Sequence, residues 1–316
     1  MKTYVIGHLK PDTDAVVAAM ALAELYRSKE CYAYADSNPE AVITEAINPE
    51  TAYLLEKFGV ATPRIITAAE LSTEDRVILV DHNEVDQRLS GLNQDQIVEI
   101  VDHHKVNLNL KNPIFLTFKT WGSSNTIVAF MMQKNNFTPK RSLAGLMLAA
   151  ILSDTVGFKS ATCTPKDKEM AAWLAELAEI RDLEAFSLEI FKAKSDISSL
   201  SDEDIVKNDY KIFDFAGKKV LIDQLETVEQ AEILTNKKAG LLTAMAKVKA
   251  ELQLDYIFVA ITDVLQVNTK VLLLDEAAAA VATKAFGGVA VDQILDIGER
   301  MSRKKEIAPP IETALS

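Results

Sequence analysis

Short apolar runs of strand length alternate along the chain with longer segments whose apolar residues recur at helical spacing. Tyr4-Val5-Ile6, Val77-Ile78-Leu79-Val80 and Ile97-Val98-Glu99-Ile100-Val101 are rich in β-branched residues. Such runs read as strands covered on both faces, as in a parallel sheet. Further short strands are expected at 31–35, 64–66 and 115–118. Helices are predicted at 15–25, 52–58 and from Gly122 to about 134, the last capped by Ser123 or Ser124. The run from Leu143 to Leu152 predicts a fully buried helix over 139–152. Thr164 and Pro165 then suit the cap and first position of another helix, reaching 177. Strands that alternate with helix-sized intervals predict an α/β fold with a doubly wound, mainly parallel N-terminal sheet.

From 183 the pattern changes. A helical start gives way to a polar, serine-rich stretch around Ser195-Asp196-Ile197-Ser198-Ser199. This predicts a domain at 1–192, a hinge or linker at 193–202 and a second, smaller α/β domain at 203–316. In the second domain strands are expected at 210–215, 219–225, 256–261 and 270–274. A long helix is expected over about 228–252 and an alanine-rich one over 277–286.

Composition narrows the classes. The 316 residues are 48% hydrophobic, enough for a substantial core, and the net charge is −12. That charge opposes general nucleic-acid binding, which needs a basic surface to displace counterions. It leaves room for a small phosphate substrate, because metals and a few cations reverse the sign inside one cleft. The two cysteines, Cys31 and Cys163, have neither metal nor CxxC spacing and read as reduced thiols. No apolar run approaches the roughly 20 residues that span a bilayer, and the chain opens directly into a strand without a basic and apolar leader. These features predict a cytoplasmic protein with no membrane partner.

The chemistry is concentrated where the strands stop. Only four histidines occur, His8, His82, His103 and His104, and each lies within three residues of the end of an apolar run. Parallel sheets bind ligands beyond the carboxyl ends of their strands. His8, Asp12 and Asp14 share one strand-to-helix turn, Asp81-His82-Asn83 ends the second run, and Asp102-His103-His104 ends the third. An isolated Asp14 would be only a helix cap, here expected for the helix at 15–25. Beside an imidazole and further carboxylates it becomes a ligand for Mn²⁺, Fe²⁺, Co²⁺ or Zn²⁺. Asp154 follows a buried helix, and an acid there is costly unless paired or metal-bound. Ser302-Arg303-Lys304-Lys305 is a basic cluster in an acidic chain and suits a phosphate.

In these motifs, and over essentially its whole length, the chain resembles the family II inorganic pyrophosphatases, the manganese- or cobalt-dependent type of the DHH phosphoesterase superfamily. The Ser-Arg-Lys-Lys motif separates that family from other DHH proteins. The resemblance implies hydrolysis of pyrophosphate to two phosphates by a metal-bridging hydroxide. It implies two Mn²⁺ or Co²⁺ per subunit, one held by His8, Asp12 and Asp81 and the other by Asp14, Asp81, His103 and Asp154. Additional Mg²⁺ or Mn²⁺ would arrive with the substrate. His104, Lys211, Arg303 and Lys304 would contact pyrophosphate, Asp102 and His82 would support the ligands, and the hinge would let the cleft close. A homodimer through the N-terminal domain is also implied. The rival reading is a short-chain exopolyphosphatase or another DHH phosphodiesterase. The nucleic-acid members tend to carry a Gly-Gly-Gly-His motif, whereas here Phe286-Gly287-Gly288-Val289 stands in a second domain without histidine. A G-x-G-x-x-G after the first strand is also missing, which sets aside a dinucleotide-binding domain.

Overall fold

The computed structural model describes residues 1–28, 34, 38–198 and 200–316. The chain divides into two compact units, Met1–Lys194 and Ser195–Ser316. Each is built on its own five-stranded sheet.

The first unit contains β1 (Thr3–Ile6), β2 (Glu40–Val42), β3 (Arg76–Val80), β4 (Ile97–Asp102) and β5 (Phe115–Phe118). Their order is β2-β1-β3-β4-β5, and every pairing is parallel. β1 is buried throughout, and β3 and β4 nearly so, as their unbroken apolar runs require. The direction of winding reverses between β1 and β3, which opens a crevice beyond their carboxyl ends.

Among the described residues, six α-helices complete this unit: α1 (Thr13–Arg27), α2 (Pro49–Lys57), α3 (Ser124–Lys134), α4 (Arg141–Asp154), α5 (Pro165–Ala178) and α6 (Leu183–Lys194). Leu22 and Leu25 of α1 pack with Val5, Ile78, Val80 and Val101 of the sheet and with Leu146, Leu148 and Ile151 of α4. Each such side chain contributes about 1.5–3 kcal/mol by leaving water. α1 is apolar almost all round because α3 and α4 cover its other side. Gly7 permits the close start of α1: a Cβ there would lie 2.8 Å from the Ala15 Cβ. On the opposite face of the sheet, Ile6, Leu79 and Ile100 pack against Ile66 and Leu89.

Several expected elements differ. The interval between β3 and β4 holds two short 3-10 turns, Val85–Gln87 and Gln94–Gln96, rather than a helix. Gly91, at φ +80°, interrupts a stretch with few apolar residues at helical spacing. The strand expected at 64–66 is a single bridge between Ile43 and Ile65. The strand expected at 31–35 lies outside the described residues apart from Tyr34, as does Cys31; Cys163 carries a free thiol.

The second unit comprises α7 (Asp202–Val206), β6 (Tyr210–Phe215), β7 (Lys218–Thr227), α8 (Gln230–Asn236), α9 (Lys238–Glu251), β8 (Tyr256–Asp263), β9 (Asn268–Leu273), α10 (Glu276–Phe286), β10 (Ile294–Asp296) and α11 (Ala308–Leu315). The order is β10-β9-β8-β7-β6. Only β7 and β8 run parallel, so the sheet is mixed. α7, α8 and α9 pack on one face through Ile205, Leu234 and Leu241. α10 and α11 cover the other through Ala282 and Ile311. The single helix expected over 228–252 breaks at Lys237 (φ −112°, ψ −9°), just after the weak helix formers Thr235 and Asn236. Among the described residues no helix is long and apolar enough to cross a membrane.

Candidate metal centre

The carboxyl ends of β1, β3 and β4 meet the start of α1 and the end of α4 around a recess of about 420 Å³. His8, Asp12, Asp81, His103, His104 and Asp154 line it, together with Gln87 and Thr162.

His8 follows β1. Its Nδ1 lies 2.7 Å from the Leu9 carbonyl, which turns Nε2 inward, 3.6 Å from Asp12 Oδ1 and 3.5 Å from Asp81 Oδ2. Burial would lower the His8 pKa, but hydrogen bonding and charge from Asp12 and Asp81 outweigh it and push the group up to about 11. The cap of α1 is Asp12, not Asp14 as the sequence suggested: its carboxylate accepts from the Ala15 N–H at 3.0 Å. The helix begins one residue after Asp12, so Asp14 falls inside the first turn and is buried.

Asp14 points at the start of α3. It accepts from the backbone N–H groups of Ser124 (2.7 Å) and Asn125 (3.1 Å), from the Asn125 amide (2.7 Å) and from the Ser123 hydroxyl (2.5 Å). The uncompensated N–H groups of a helix start thus hold an anion, and that anion is the chain's own carboxylate. Ser123 is the cap of α3. Despite these donors, burial and the neighbouring Asp81 charge push Asp14 up to about 6.

Asp81 is the centre of the arrangement. It directly follows β3 with φ +64°, a left-handed conformation that an aspartate adopts at a cost. Its N–H donates to the Val101 carbonyl at 3.0 Å, and its Oδ1 accepts from the Ser124 hydroxyl at 2.9 Å. His103 Nε2 stands 3.3 Å from Asp81 Oδ1 and 3.9 Å from Asp154 Oδ2. His103 Nδ1 is held by the Trp121 carbonyl at 2.9 Å. Asp154 lies in the last turn of α4, which runs two residues further than its apolar run. Burial, then the charges of Asp14 and Asp81, raise its pKa well above the carboxylate range.

Asp102 is fully buried and turned away from the recess. Its Oδ1 accepts from the N–H groups of His103 and His104 at 2.8 and 3.1 Å and faces His104 Nδ1 at 2.9 Å. Its Oδ2 accepts from Asn83 at 2.6 Å, and Asn83 in turn accepts from the Asn107 N–H at 2.7 Å. His104 is half exposed, its Nε2 without a hydrogen-bond partner among the described residues. His82 is buried, with Nδ1 2.9 Å from the Val80 carbonyl and its ring edge-on to His8. Burial, reinforced by the charge of His8, lowers His82 to about 4 and keeps it neutral.

Sequence reasoning missed the residues that hold this layer in place. Asp167 of α5 is fully buried. It accepts from Gly122 N–H (3.0 Å), Thr126 (2.6 Å) and both the N–H and hydroxyl of Thr164 (2.7 and 2.6 Å). A Cβ at Gly122 would come within 2.6 Å of Thr155 and 3.1 Å of Asp167, so a side chain there would push the loop away. The spacing Thr164-x-x-Asp167 is the available signal, a capping box, but it gives no hint of the reach to Gly122.

The second unit carries the other three candidates. Lys211 is exposed on β6, its Nζ 5.5 Å from the Phe213 ring. Arg303 and Lys304 begin the turn after Ser302. Arg303 is paired with Asp209, at 2.9 Å, and Lys304 is exposed.

The donor set fits divalent cations. Imidazole and carboxylate suit ions of the Mn²⁺ and Co²⁺ type. Three groups can each converge on one ion: His8, Asp12 and Asp81; Asp14, His103 and Asp154; and Asp81, His103 and His104. Ligand atoms bonded at about 2.0–2.2 Å to one ion stand about 3–3.5 Å apart, and the imidazole–Asp81 separations of 3.3–3.5 Å match that. Backbone carbonyls behind His8 and His103 orient both rings, the usual support for a ligating histidine.

Residues 2–151 match the DHH family, N-terminal domain, and residues 188–314 match the DHHA2 domain. The manganese-dependent inorganic pyrophosphatase of Methanothrix thermoacetophila is 40% identical, with 98% of this chain and 97% of that protein covered. The chain belongs to the manganese-dependent, family II inorganic pyrophosphatases. Another member, from Methanocaldococcus jannaschii, is 39% identical over 98% of both chains. A solved structure from Methanococcus jannaschii, described as a family II inorganic pyrophosphatase, superimposes with a TM-score of 0.63 at 37% identity and covers 99% of both chains. The family makes the chain a metal-dependent hydrolase with the two-part α/β fold expected from its sequence.

Proposed function

We propose that the chain hydrolyses inorganic pyrophosphate to two phosphates at a manganese-loaded centre formed by His8, Asp12, Asp14, Asp81, His103 and Asp154. The observation that supports this most is the position of Asp81. One oxygen faces His8 at 3.5 Å and the other faces His103 at 3.3 Å, which suits a carboxylate shared between two cations. In this reading His8, Asp12 and Asp81 hold one ion; Asp14, Asp81, His103 and Asp154 hold the second. Mn²⁺ and Co²⁺ are both suited. When bound, such a pair lowers the pKa of water toward neutrality and screens the attacked phosphoryl group.

The chain's own groups do the rest. Burial alone would raise Asp81, but His103 and His8 hold it well below the ordinary carboxylate range, so it stays charged and able to bridge. The Asp102 carboxylate raises the His104 pKa and fixes its Nδ1. His104 Nε2 is thereby directed at a phosphoryl oxygen as a donor. Lys211, Arg303 and Lys304 supply further positive charge to the phosphoryl oxygens, most effectively as charge develops on the leaving phosphate. The substrate brings its own Mg²⁺ or Mn²⁺. The same reading includes a homodimer, a cytoplasmic location, a linker at 193–202 and no nucleic-acid partner, the last consistent with the net charge of −12.

The test is phosphate release by metal-stripped protein on addition of Mn²⁺ with Mg²⁺ present, with tripolyphosphate and a short oligonucleotide run in parallel. Mn²⁺-stimulated release from pyrophosphate alone is expected. A strong preference for tripolyphosphate or the oligonucleotide would overturn the proposal.

A further inference from the structure

Arg303 is held from two sides within the second unit. Its backbone N–H donates to Gln224 Oε1 at 3.0 Å. The Gln224 amide donates to Thr262 Oγ1 and to the Met301 carbonyl, both at 3.0 Å, so the turn that carries Arg303 is pinned to β7 and β8. The side chain is held by Asp209: one terminal guanidinium nitrogen donates to the Asp209 carbonyl and the other to its Oδ1, at 2.9 Å. Asp209 is itself fixed. Its N–H donates to the buried carboxylate of Asp223 at 3.1 Å, and its carbonyl also accepts from the Gln224 N–H at 3.2 Å. Lys211 and Lys304 have no carboxylate partner among the described residues.

We propose that Asp209 is a built-in competitor for the phosphate-binding edge of Arg303, and so sets the affinity for phosphate-bearing substrate and product. This rests on the assignment of Arg303 to phosphoryl oxygens made above. A guanidinium binds a carboxylate or a phosphate through the same pair of N–H groups. Here the edge between the two terminal nitrogens is taken by Asp209. The Asp209 side chain is 63% exposed, so water screens its hold, and a phosphoryl group of higher charge can displace it. Before substrate arrives, Asp209 keeps the guanidinium extended and oriented. After reaction it reclaims the arginine and favours release of phosphate.

Asp209→Asn retains the backbone carbonyl contact and removes only the competing charge. The expected result is a KM for pyrophosphate and an inhibition constant for inorganic phosphate both lowered about two- to fivefold. In an Arg303→Met background the same substitution should change neither, because the effect runs through the arginine. Titration of inorganic phosphate into the variants reads the same difference without turnover. An unchanged or raised KM in a folded, active Asp209→Asn variant overturns the inference, as does an equal drop in the Arg303→Met background. Absence of pyrophosphate turnover by the unaltered chain would instead strike the proposed activity.

Discussion

Among single residues, the buried acids differ in what neutralises them. Asp102 and Asp167 are saturated with donors, whereas Asp81 and Asp154 stand close to Asp14, which has four protein donors of its own, with the His8 and His103 imidazoles between them. Asp223 is a separate case. It is buried in the second unit, and burial together with the Asp209 charge pushes it up to about 7. The folded chain therefore retains a proton that the unfolded chain has lost. The consequence is a stability that falls as pH rises from about 4 to about 7, by up to about 1.4 kcal/mol per pH unit from this group. Asp223→Asn should remove that slope, so the variant gains stability relative to the parent between pH 5 and pH 8, measured by urea unfolding. An unchanged difference between the two pH values would show that Asp223 is ionised throughout. Residue types such as His8, Asp81 and His103 were legible in the sequence because imidazoles are rare in this chain and fall at strand ends. The conformation that aims Asp81, at φ +64°, was not, since nothing in the sequence distinguishes it from any aspartate after a strand.

Between elements, the first turn of α3 supports the candidate metal centre. Its N–H groups and the side chains of Ser123, Ser124 and Asn125 hold Asp14 and Asp81, and the preceding Trp121 carbonyl holds His103. Asp167 anchors that turn from α5. Asp167→Ala leaves the Gly122 N–H and the Thr126 and Thr164 donors without their acceptor, and should cost about 3 kcal/mol in urea unfolding. It should also weaken Mn²⁺ binding by about 10–100-fold, read by chelator competition; unaltered Mn²⁺ affinity would limit Asp167 to capping α5. Helix-start residues revealed α3 and α5, and an unbroken apolar run revealed α4, because each of these signals is local in sequence. The link from Asp167 to Gly122 spans 45 residues of sequence and has no local signature. The break at Lys237 and the 3-10 turns between β3 and β4 were hidden for a related reason: backbone geometry there departs from the helix without a proline to mark it.

At the scale of the whole molecule, the reversal of strand order between β1 and β3 brings the proposed ligands from distant parts of the sequence together. A parallel sheet was readable from its buried runs, but β2 and β10, three residues each, are too short to show a pattern. If the centre binds as proposed, binding couples to folding, because the residues come together only when these strands are paired. Mn²⁺ at a hundred times its dissociation constant should stabilise the folded chain by about 2.7 kcal/mol per site, seen as a rise in the unfolding midpoint that a chelator reverses. No shift would mean that the recess does not hold the ion. The most direct test of the shared-carboxylate centre is to count the bound Mn²⁺ by electron paramagnetic resonance in the parent protein and in Asp81→Ala. Two magnetically coupled ions per chain are predicted for the parent. In Asp81→Ala the coupling should be lost, together with pyrophosphate turnover by at least about a thousandfold, equivalent to some 4 kcal/mol of transition-state stabilisation. One ion in the parent, or a coupled pair that survives without Asp81, would contradict a centre organised around that residue.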